Sequence, residues 1–465
     1  FQPNPSDGPN PADADLYLAN VREKVLRFRN HPSIALWCGR NEGDPAPAAV
    51  DEGIRKIMSE LDPQRLYQRN SADGRGVRSG GPYSWREPRK FYEFPDDEAF
   101  KTEIGSVSIP TLEAVQAMMP EKDWNTINDD WAEHDLARGA QEGRYGRRYV
   151  DILSQRYGAW TGSDGRGRET FLAGFVRRAQ LANYEAFRAM YEGRWAKLFH
   201  PTTGVLTWMS NPAQPSFVWQ LYSHDLEPNA SLFAVRKACE SPHIQMNESD
   251  FHVMVINDSA QTLEKLAARV RVFDLDGSAK SDQWFPVVAR PTAATDAGAV
   301  TWPSGLSSVH FVKLELYAAA GQRLSDNFYW RALPDHPDDF TALQTMPAAA
   351  LDMRVTRRDE GGKVMLQVTL VNSSHSIALM AHVQLRHRDT QARVLPVYYS
   401  DNYVSLLPGE TRTITVEAAA EALGNHEPMV ALDGWNITPS RRSAALPQPT
   451  FNQRSAALPQ PTFNQ

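Results

Sequence analysis

The chain has 465 residues, which is more than one hydrophobic core usually serves and enough for two to four domains of ordinary size. It is 42% hydrophobic and 23% charged, and it carries a formal net charge of −7 with no Lys/Arg blocks. That balance speaks against a phosphate-backbone ligand, so no nucleic acid partner is expected. No apolar run approaches the roughly 18 residues of a membrane-spanning helix, so no membrane partner is expected either. A neutral or small substrate remains. The two cysteines, Cys38 and Cys239, make neither a disulfide framework nor a zinc site. The 12 histidines show no metal-ligand spacing, so neither a metal nor another cofactor is expected.

In chain order, residues 13–29 read as a helix, with Leu18, Val21, Val25 and Phe28 on one face. Residues 33–39 follow as a short apolar run without alternation, as expected of a strand buried on both faces. A helix over 47–60 ends at Asp62-Pro63, and a short strand is predicted over 65–69. The alternation continues to a strand at 100–103, a long amphipathic helix at about 170–199 and a strand at 204–209. Alternating helices and buried strands imply a parallel sheet, either doubly wound or closed as a barrel. Past residue 246 the texture changes to short alternating strands with turn signals such as Asp276-Gly277 and Leu407-Pro408-Gly409. Two such sets, 246–336 and 337–440, read as two immunoglobulin-like β-sandwich domains. Residues 442–453 recur identically at 454–465. A perfect terminal duplication of two units is not a solenoid, so the tail 441–465 is set aside as an artefact.

Chemistry concentrates at two strand ends. Asn41-Glu42 follows one buried strand, and Thr102-Glu103-Ile104-Gly105 stands at the end of another. If the sheet is a barrel, its C-terminal strand ends converge on one face and the two carboxylates can meet across a pocket. Glycoside hydrolysis uses such a pair, one acid for the leaving oxygen and one carboxylate to attack or to activate water. A single glutamate after a strand is most often a solvated side chain; the pairing, with Trp37 just upstream, is what raises the reading. Trp37, Trp85, Trp208 and Trp219 also sit near polar turns at strand ends, where flat sugar faces could stack on them. For any one of them a plain core role is an equal expectation.

The segment Asn30-His31-Pro32-Ser33-Ile34-Ala35-Leu36-Trp37-Cys38-Gly39-Arg40-Asn41-Glu42 closely resembles the acid/base segment of glycoside hydrolase family 2. Thr102-Glu103-Ile104-Gly105-Ser106-Val107-Ser108-Ile109-Pro110-Thr111 resembles that family's nucleophile segment, in its β-mannosidase, endo-β-mannosidase and exo-β-glucosaminidase branches. Residues 204–212, 219–222, 226–229 and 238–240 extend the likeness through the last barrel strand. The resemblance implies a multidomain α/β plus all-β protein. Residues 1–245 would be the C-terminal part of a (β/α)8 TIM barrel, strands 4–8, followed by the two sandwiches.

It also implies roles. Glu42 would protonate the glycosidic oxygen and later deprotonate water, while Glu103 would attack the anomeric carbon. Asn41 would hold the sugar's 2-position, Tyr83 would hold the nucleophile or line the pocket, and Trp208 would form a platform with Asn211 beside it. Trp37, Trp85 and Trp219 complete the candidate substrate-binding set. The exo-β-glucosaminidase branch has Asp at the acid/base position, so Glu42 favours a mannoside. The expected activity is therefore a retaining exo-β-mannosidase acting on a β-linked oligosaccharide or glycoside. An exo-β-glucosaminidase, an endo-β-mannosidase or another β-hexosidase, and a non-catalytic carbohydrate-binding protein on a decayed barrel, are the alternatives. An N-terminal portion of the same enzyme, with the first barrel strands and a sugar-binding domain, is the expected protein partner. The glycine-rich stretches Gly74-Arg75-Gly76 and 162–167 do not follow strands in a dinucleotide-binding arrangement and are read as loops.

Overall fold

The computed structural model describes residues 1–4, 7–72, 74, 76–94, 98–136, 145–160 and 170–444. The stretch 162–167 and residues 445–465 lie outside the described residues, whereas 441–443, set aside with the tail, belong to the second sandwich, where they pair with the strand Pro428–Asp433.

The first part is an arc of parallel strands with helices packed on its outer side. Helix α1 (Ala14–Phe28) starts at Asp13, whose carboxylate accepts from Leu16 N at 2.9 Å, and it buries Val21 and Val25. Helix α2 (Ala48–Leu61) lays Val50, Ile54, Ile57 and Met58 on that face. Beneath them run β1 (Leu36–Arg40) and β2 (Leu66–Asn70), paired in parallel with Leu36 opposite Leu66. A second parallel set holds β3 (Val77–Arg78), β4 (Phe100–Ile104) and β5 (Gly204–Thr207), in the order β3-β4-β5. One hydrogen bond, Ser79 N to Ser71 O at 2.8 Å, joins the ends of β2 and β3, so the two sets form one arc of five strands. All five run the same way. Their C-terminal ends, where Asn41, Ser71, Ser79, Gly105 and Trp208 follow, therefore lie on one rim. The arc is open: among the described residues, β5 pairs only with β4. The outer edge of β1 carries the chain start, through Gln2 N to Gly39 O and Asn41 N to Gln2 O.

The helix expected over 170–199 is α6 (Phe171–Trp195), which forms the spine of the molecule. Thr170 caps it from its side chain to Ala173 N at 3.2 Å, and most of its residues are buried, charged ones included. Between β4 and α6 stand α3 (Leu112–Met118), α4 (Asp129–Glu133) and α5 (Tyr145–Tyr157), elements the sequence reading did not mark. Helix α7 (Ala230–Ala238) closes the α/β part.

Two β-sandwiches follow. The first packs the sheet β10-β7-β6 (Ala293–Ala299, His252–Asn257, His243–Met246) on β12-β11-β8-β9 (Arg323–Ala332, Val309–Tyr317, Leu263–Asp274, Ala279–Ala289). Its own core holds Val253, Val270, Val312 and Leu314. The second packs β13-β14-β18-β16 (Leu351–Glu360, Lys363–Asn372, Thr411–Ala419, Val397–Tyr399) on β17-β15-β19-β20 (Val404–Leu406, Ala378–His387, Pro428–Asp433, Ser440–Ser443). Its core is continuous with the helix layer: Phe175 and Val176 of α6 share one apolar cluster with Phe311, Trp330, Val368 and Leu385.

Buried charges pin these parts together. Asp326 on β12 accepts from Lys313 at 2.6 Å and Arg412 at 2.5 Å, and pairs with Lys237 of α7 at 3.2 Å. Glu192 of α6 accepts from Tyr92, Asn327 and Tyr329 and faces His243 Nε2 at 3.2 Å. Buried ions need this many partners to offset their desolvation, and the partners come from different domains.

Candidate active site

The rim of the arc brings Glu42 and Glu103 onto one hydroxyl group. Tyr83 Oη lies 2.8 Å from Glu42 Oε1 and 2.5 Å from Glu103 Oε2. A phenol carries one proton, so both contacts are hydrogen bonds only when one of the two carboxyls is itself protonated. The two carboxylate oxygens are no farther apart than those two bonds laid end to end.

Local structure explains how Tyr83 arrives there. Gly80 and Gly81 have φ of +90° and +69°, so the chain turns through the left-handed region before Pro82. Gly105 N then donates to Pro82 O at 2.8 Å, tying the Tyr83 loop to the end of β4. Gly105 is required by close approach: a Cβ there would stand 2.4 Å from Trp208 O and 3.0 Å from Trp219 Cδ1. Trp219 holds the other side, with Nε1 donating to Tyr83 O at 2.7 Å and N donating to Ser106 O.

Glu42 is held in an uncommon backbone state, φ +47°, just past β1. Its N donates to Ser71 Oγ at 2.9 Å, and its Oε2 accepts from Asn4 Nδ2 at 3.0 Å. Asn41 Oδ1 accepts from Ser71 Oγ at 2.8 Å, and Ser71 Oγ lies 2.9 Å from Ser79 Oγ. Two residues before Glu103 on β4, buried Lys101 donates to Ser79 O at 3.0 Å and to Glu98.

Burial pushes the Glu103 carboxyl above its ordinary value, and the charge of Glu42 adds to this. The Tyr83 hydrogen bond and the Lys101 charge act in the opposite direction. The net direction works against the ionised form, and Tyr83 and Lys101 are the groups that oppose the rise. The Tyr83 hydroxyl itself is raised, by burial first and then by its bonds to the two carboxylates, and it stays protonated near neutrality.

Of the residues singled out in the sequence, Asn41, Glu42, Tyr83 and Glu103 form one connected constellation. Trp219 stands behind Tyr83, and Trp208, 44% exposed, follows β5. Asn211 is exposed on the next loop, where its side chain accepts from Ser210 Oγ at 3.0 Å.

Two expectations need correcting. Trp37 points outward from β1 into the helix layer, with Nε1 on Asp62 at 2.8 Å and its ring stacked on Phe1. It packs against the cluster of Val21, Val25 and Ile54. Trp85 faces a different cleft, shared with Glu87, Arg156 and Asp338, and Arg156 covers its ring at 5.6 Å. The sequence reading missed Asn4, Ser71, Ser79 and Lys101. The signal for the two serines was a small polar residue directly after a short strand. No group of three metal-ligating side chains gathers among the described residues.

Comparison with known proteins adds the context. Residues 327–437 match the sequence model of the exo-β-D-glucosaminidase Ig-fold domain. The chain is 30% identical over 472 residues to an exo-β-D-glucosaminidase of Streptomyces avermitilis, covering 93% of this chain and 51% of that protein. It is 26% identical over 545 residues to a mannosylglycoprotein endo-β-mannosidase of Lilium longiflorum, covering 93% and 55%. Among solved structures, the Amycolatopsis orientalis exo-chitosanase CsxA aligns with TM-score 0.80 and 26% identity over 93% of this chain and 54% of that one. A Dictyoglomus thermophilum β-D-mannosidase shares the fold, with TM-score 0.67 at 18% identity, over 92% of this chain and 51% of that one. The chain thus spans about half the length of the relatives it matches.

Proposed function

The chain belongs to glycoside hydrolase family 2, in the branch of exo-β-D-glucosaminidases, endo-β-mannosidases and β-mannosidases, and from that premise we propose that it carries the catalytic pair of a retaining exo-β-mannosidase. The observation that carries this reading is the single Tyr83 hydroxyl between Glu42 and Glu103. Its two bonds of 2.8 and 2.5 Å put an upper bound on the distance between those two oxygens, which supports the close spacing of retaining pairs, about 5–5.5 Å between carboxyl groups, over the roughly 6.5–9.5 Å of inverting pairs. One proton on the pair also suits one acid and one nucleophile.

In the first step a Glu103 oxygen attacks C1 of the sugar. The bond from C1 to the glycosidic oxygen breaks, and the proton on Glu42 moves to that leaving oxygen. In the second step Glu42, now a carboxylate, takes a proton from water as the water oxygen attacks C1. The ester bond to Glu103 breaks, and the hydroxyl at C1 emerges with its starting configuration. Tyr83 accepts from Glu42 and donates to Glu103 in the first step, keeping the two protonation states apart. Asn41 and Trp208 contact the sugar at the rim. A β-linked glycoside is the substrate, and an N-terminal portion of the same enzyme closes the barrel across β1 and β5. The open edge of β5 and the exposed Leu206 and Trp208, 53% and 44% accessible, support that partner.

Hydrolysis of p-nitrophenyl β-D-mannoside, β-D-glucosaminide and β-D-galactoside tests the specificity. The mannoside should be cleaved fastest, with the β-anomer as the first product by NMR. No mannoside turnover at enzyme concentrations that cleave another glycoside would sink the mannosidase reading, and an α-anomer first would sink retention. A second reading, an exo-β-D-glucosaminidase, is favoured by the match of residues 327–437 and by the Streptomyces relative.

A further inference from the structure

The proton bookkeeping around Asn41 decides which side of its amide faces the pocket. Ser71 Oγ accepts from Glu42 N at 2.9 Å and contacts both Asn41 Oδ1 at 2.8 Å and Ser79 Oγ at 2.9 Å. Ser79 is fully buried, and among the described residues its hydroxyl has no partner other than Ser71. If the amide were reversed, Asn41 Nδ2 would donate to Ser71, and Ser71 would spend its only proton on Ser79. The Ser79 proton would then have no acceptor, leaving an orphaned buried donor. With the amide as it stands every proton is used. Ser79 donates to Ser71, Ser71 donates to Asn41 Oδ1, and the second lone pair of Ser71 takes Glu42 N–H. The Asn41 NH2 group is left without a protein acceptor among the described residues, beside Glu42.

We propose that Ser71 and Ser79 are positioning residues, a hydroxyl relay that fixes the Asn41 amide with its two donors toward the substrate. The subsite beside Glu42 is then a donor site. It takes a neutral oxygen on the sugar ring, such as a hydroxyl, and it rejects an ammonium, which has donors only and would meet the amide proton to proton. The relay also fixes Glu42 through its backbone N–H, so one serine sets both the acid and its neighbour. This rests on the glycosidase reading above and extends it from the catalytic pair to the choice between a hydroxylated and an amino sugar.

The test has two arms. In the first, kcat/KM is measured on p-nitrophenyl β-D-mannoside and β-D-glucosaminide for the wild type, Ser71→Ala, Ser71→Thr and Asn41→Asp. Ser71→Ala should lower the mannoside-to-glucosaminide ratio about tenfold, Ser71→Thr should restore it, and Asn41→Asp should lower it further by replacing donors with a carboxylate. Equal losses on both substrates, with the ratio unchanged, would overturn the relay as a specificity device. The second arm is neutron diffraction of the deuterium-exchanged protein, which does not depend on turnover. Deuterons on Ser79 Oγ pointing to Ser71 and on Asn41 Nδ2 pointing to the pocket are expected; a reversed amide overturns the proposal. If the wild type cleaves neither glycoside yet the deuterons lie as stated, the glycosidase reading fails while the relay stands.

Discussion

Trp219 Nε1 donates to the carbonyl oxygen of Tyr83 at 2.7 Å, and the two rings stand edge to face with centroids 5.9 Å apart. The indole comes from the loop after β5, and the tyrosine from the loop after β3. The contact therefore clamps the group that touches both carboxylates from across the rim. Trp219→Phe should keep the ring packing, lose the hydrogen bond and lower kcat more than it raises KM. A pure KM effect in steady-state kinetics would mean that Trp219 contacts substrate and does not hold Tyr83.

The upward push on Glu103 fixes the sign of a pH experiment. Burial raises this carboxyl, and Tyr83 is the hydrogen bond that opposes the rise. Attack requires the ionised form, so Tyr83→Phe should move the acidic limb of the kcat/KM profile to higher pH. A limb that stays in place while kcat falls would show that Tyr83 orients Glu103 without tuning it.

Removing the proposed nucleophile should be far more severe. Glu103→Ala should lower kcat by roughly three orders of magnitude or more, since covalent catalysis is lost. Added azide should restore turnover and give a glycosyl azide of inverted configuration. A variant that stays active without azide would refute the role of Glu103.

At Gly105 the neighbouring atom is a backbone oxygen, which cannot swing aside. Gly105→Ala should cost about 1–3 kcal/mol by overpacking and displace the Trp208 loop. Thermal melting should show the loss, and an unchanged melting temperature would mean that the rim relaxes freely.

The junction at Asp326 gives an acid-sensitive contribution. Although its burial opposes ionisation, Lys313, Lys237 and Arg412 hold the carboxyl well below its ordinary value of 3.8. A depressed carboxyl stabilises the fold fully above that ordinary value, and the contribution is lost as pH falls below it. Asp326→Asn should therefore destabilise the protein by about 3–5 kcal/mol at neutral pH, because three cations lose their shared anion. Denaturant titrations should show the gap narrowing below pH 3.8; a gap independent of pH would place the effect in packing.

Much of the site was legible because its key residues sit in contiguous segments at strand ends. Asn41-Glu42 follows a short apolar run and Glu103 stands near the end of a short strand, and chain direction puts such ends on one rim. The sandwiches were legible from their alternation. Trp37 was not, because the run Ser33-Ile34-Ala35-Leu36-Trp37-Cys38-Gly39 lacks alternation and so hides which face each side chain takes. In the fold that face belongs to α1 and α2. Trp85 failed in a similar way: its partner Arg156 comes from α5, a helix the sequence reading did not mark.

By itself, then, the sequence singled out Glu42 and Glu103 as the candidate pair, since strand-end position is a local property of the chain. Only the tertiary structure decided how that pair is held. Tyr83 between the carboxylates, Ser71 under both Asn41 and Glu42, and Trp219 behind Tyr83 all join residues distant in sequence. Hydrogen bonds between strand ends depend on register and on which side chains share a face, and neither is written in any one segment.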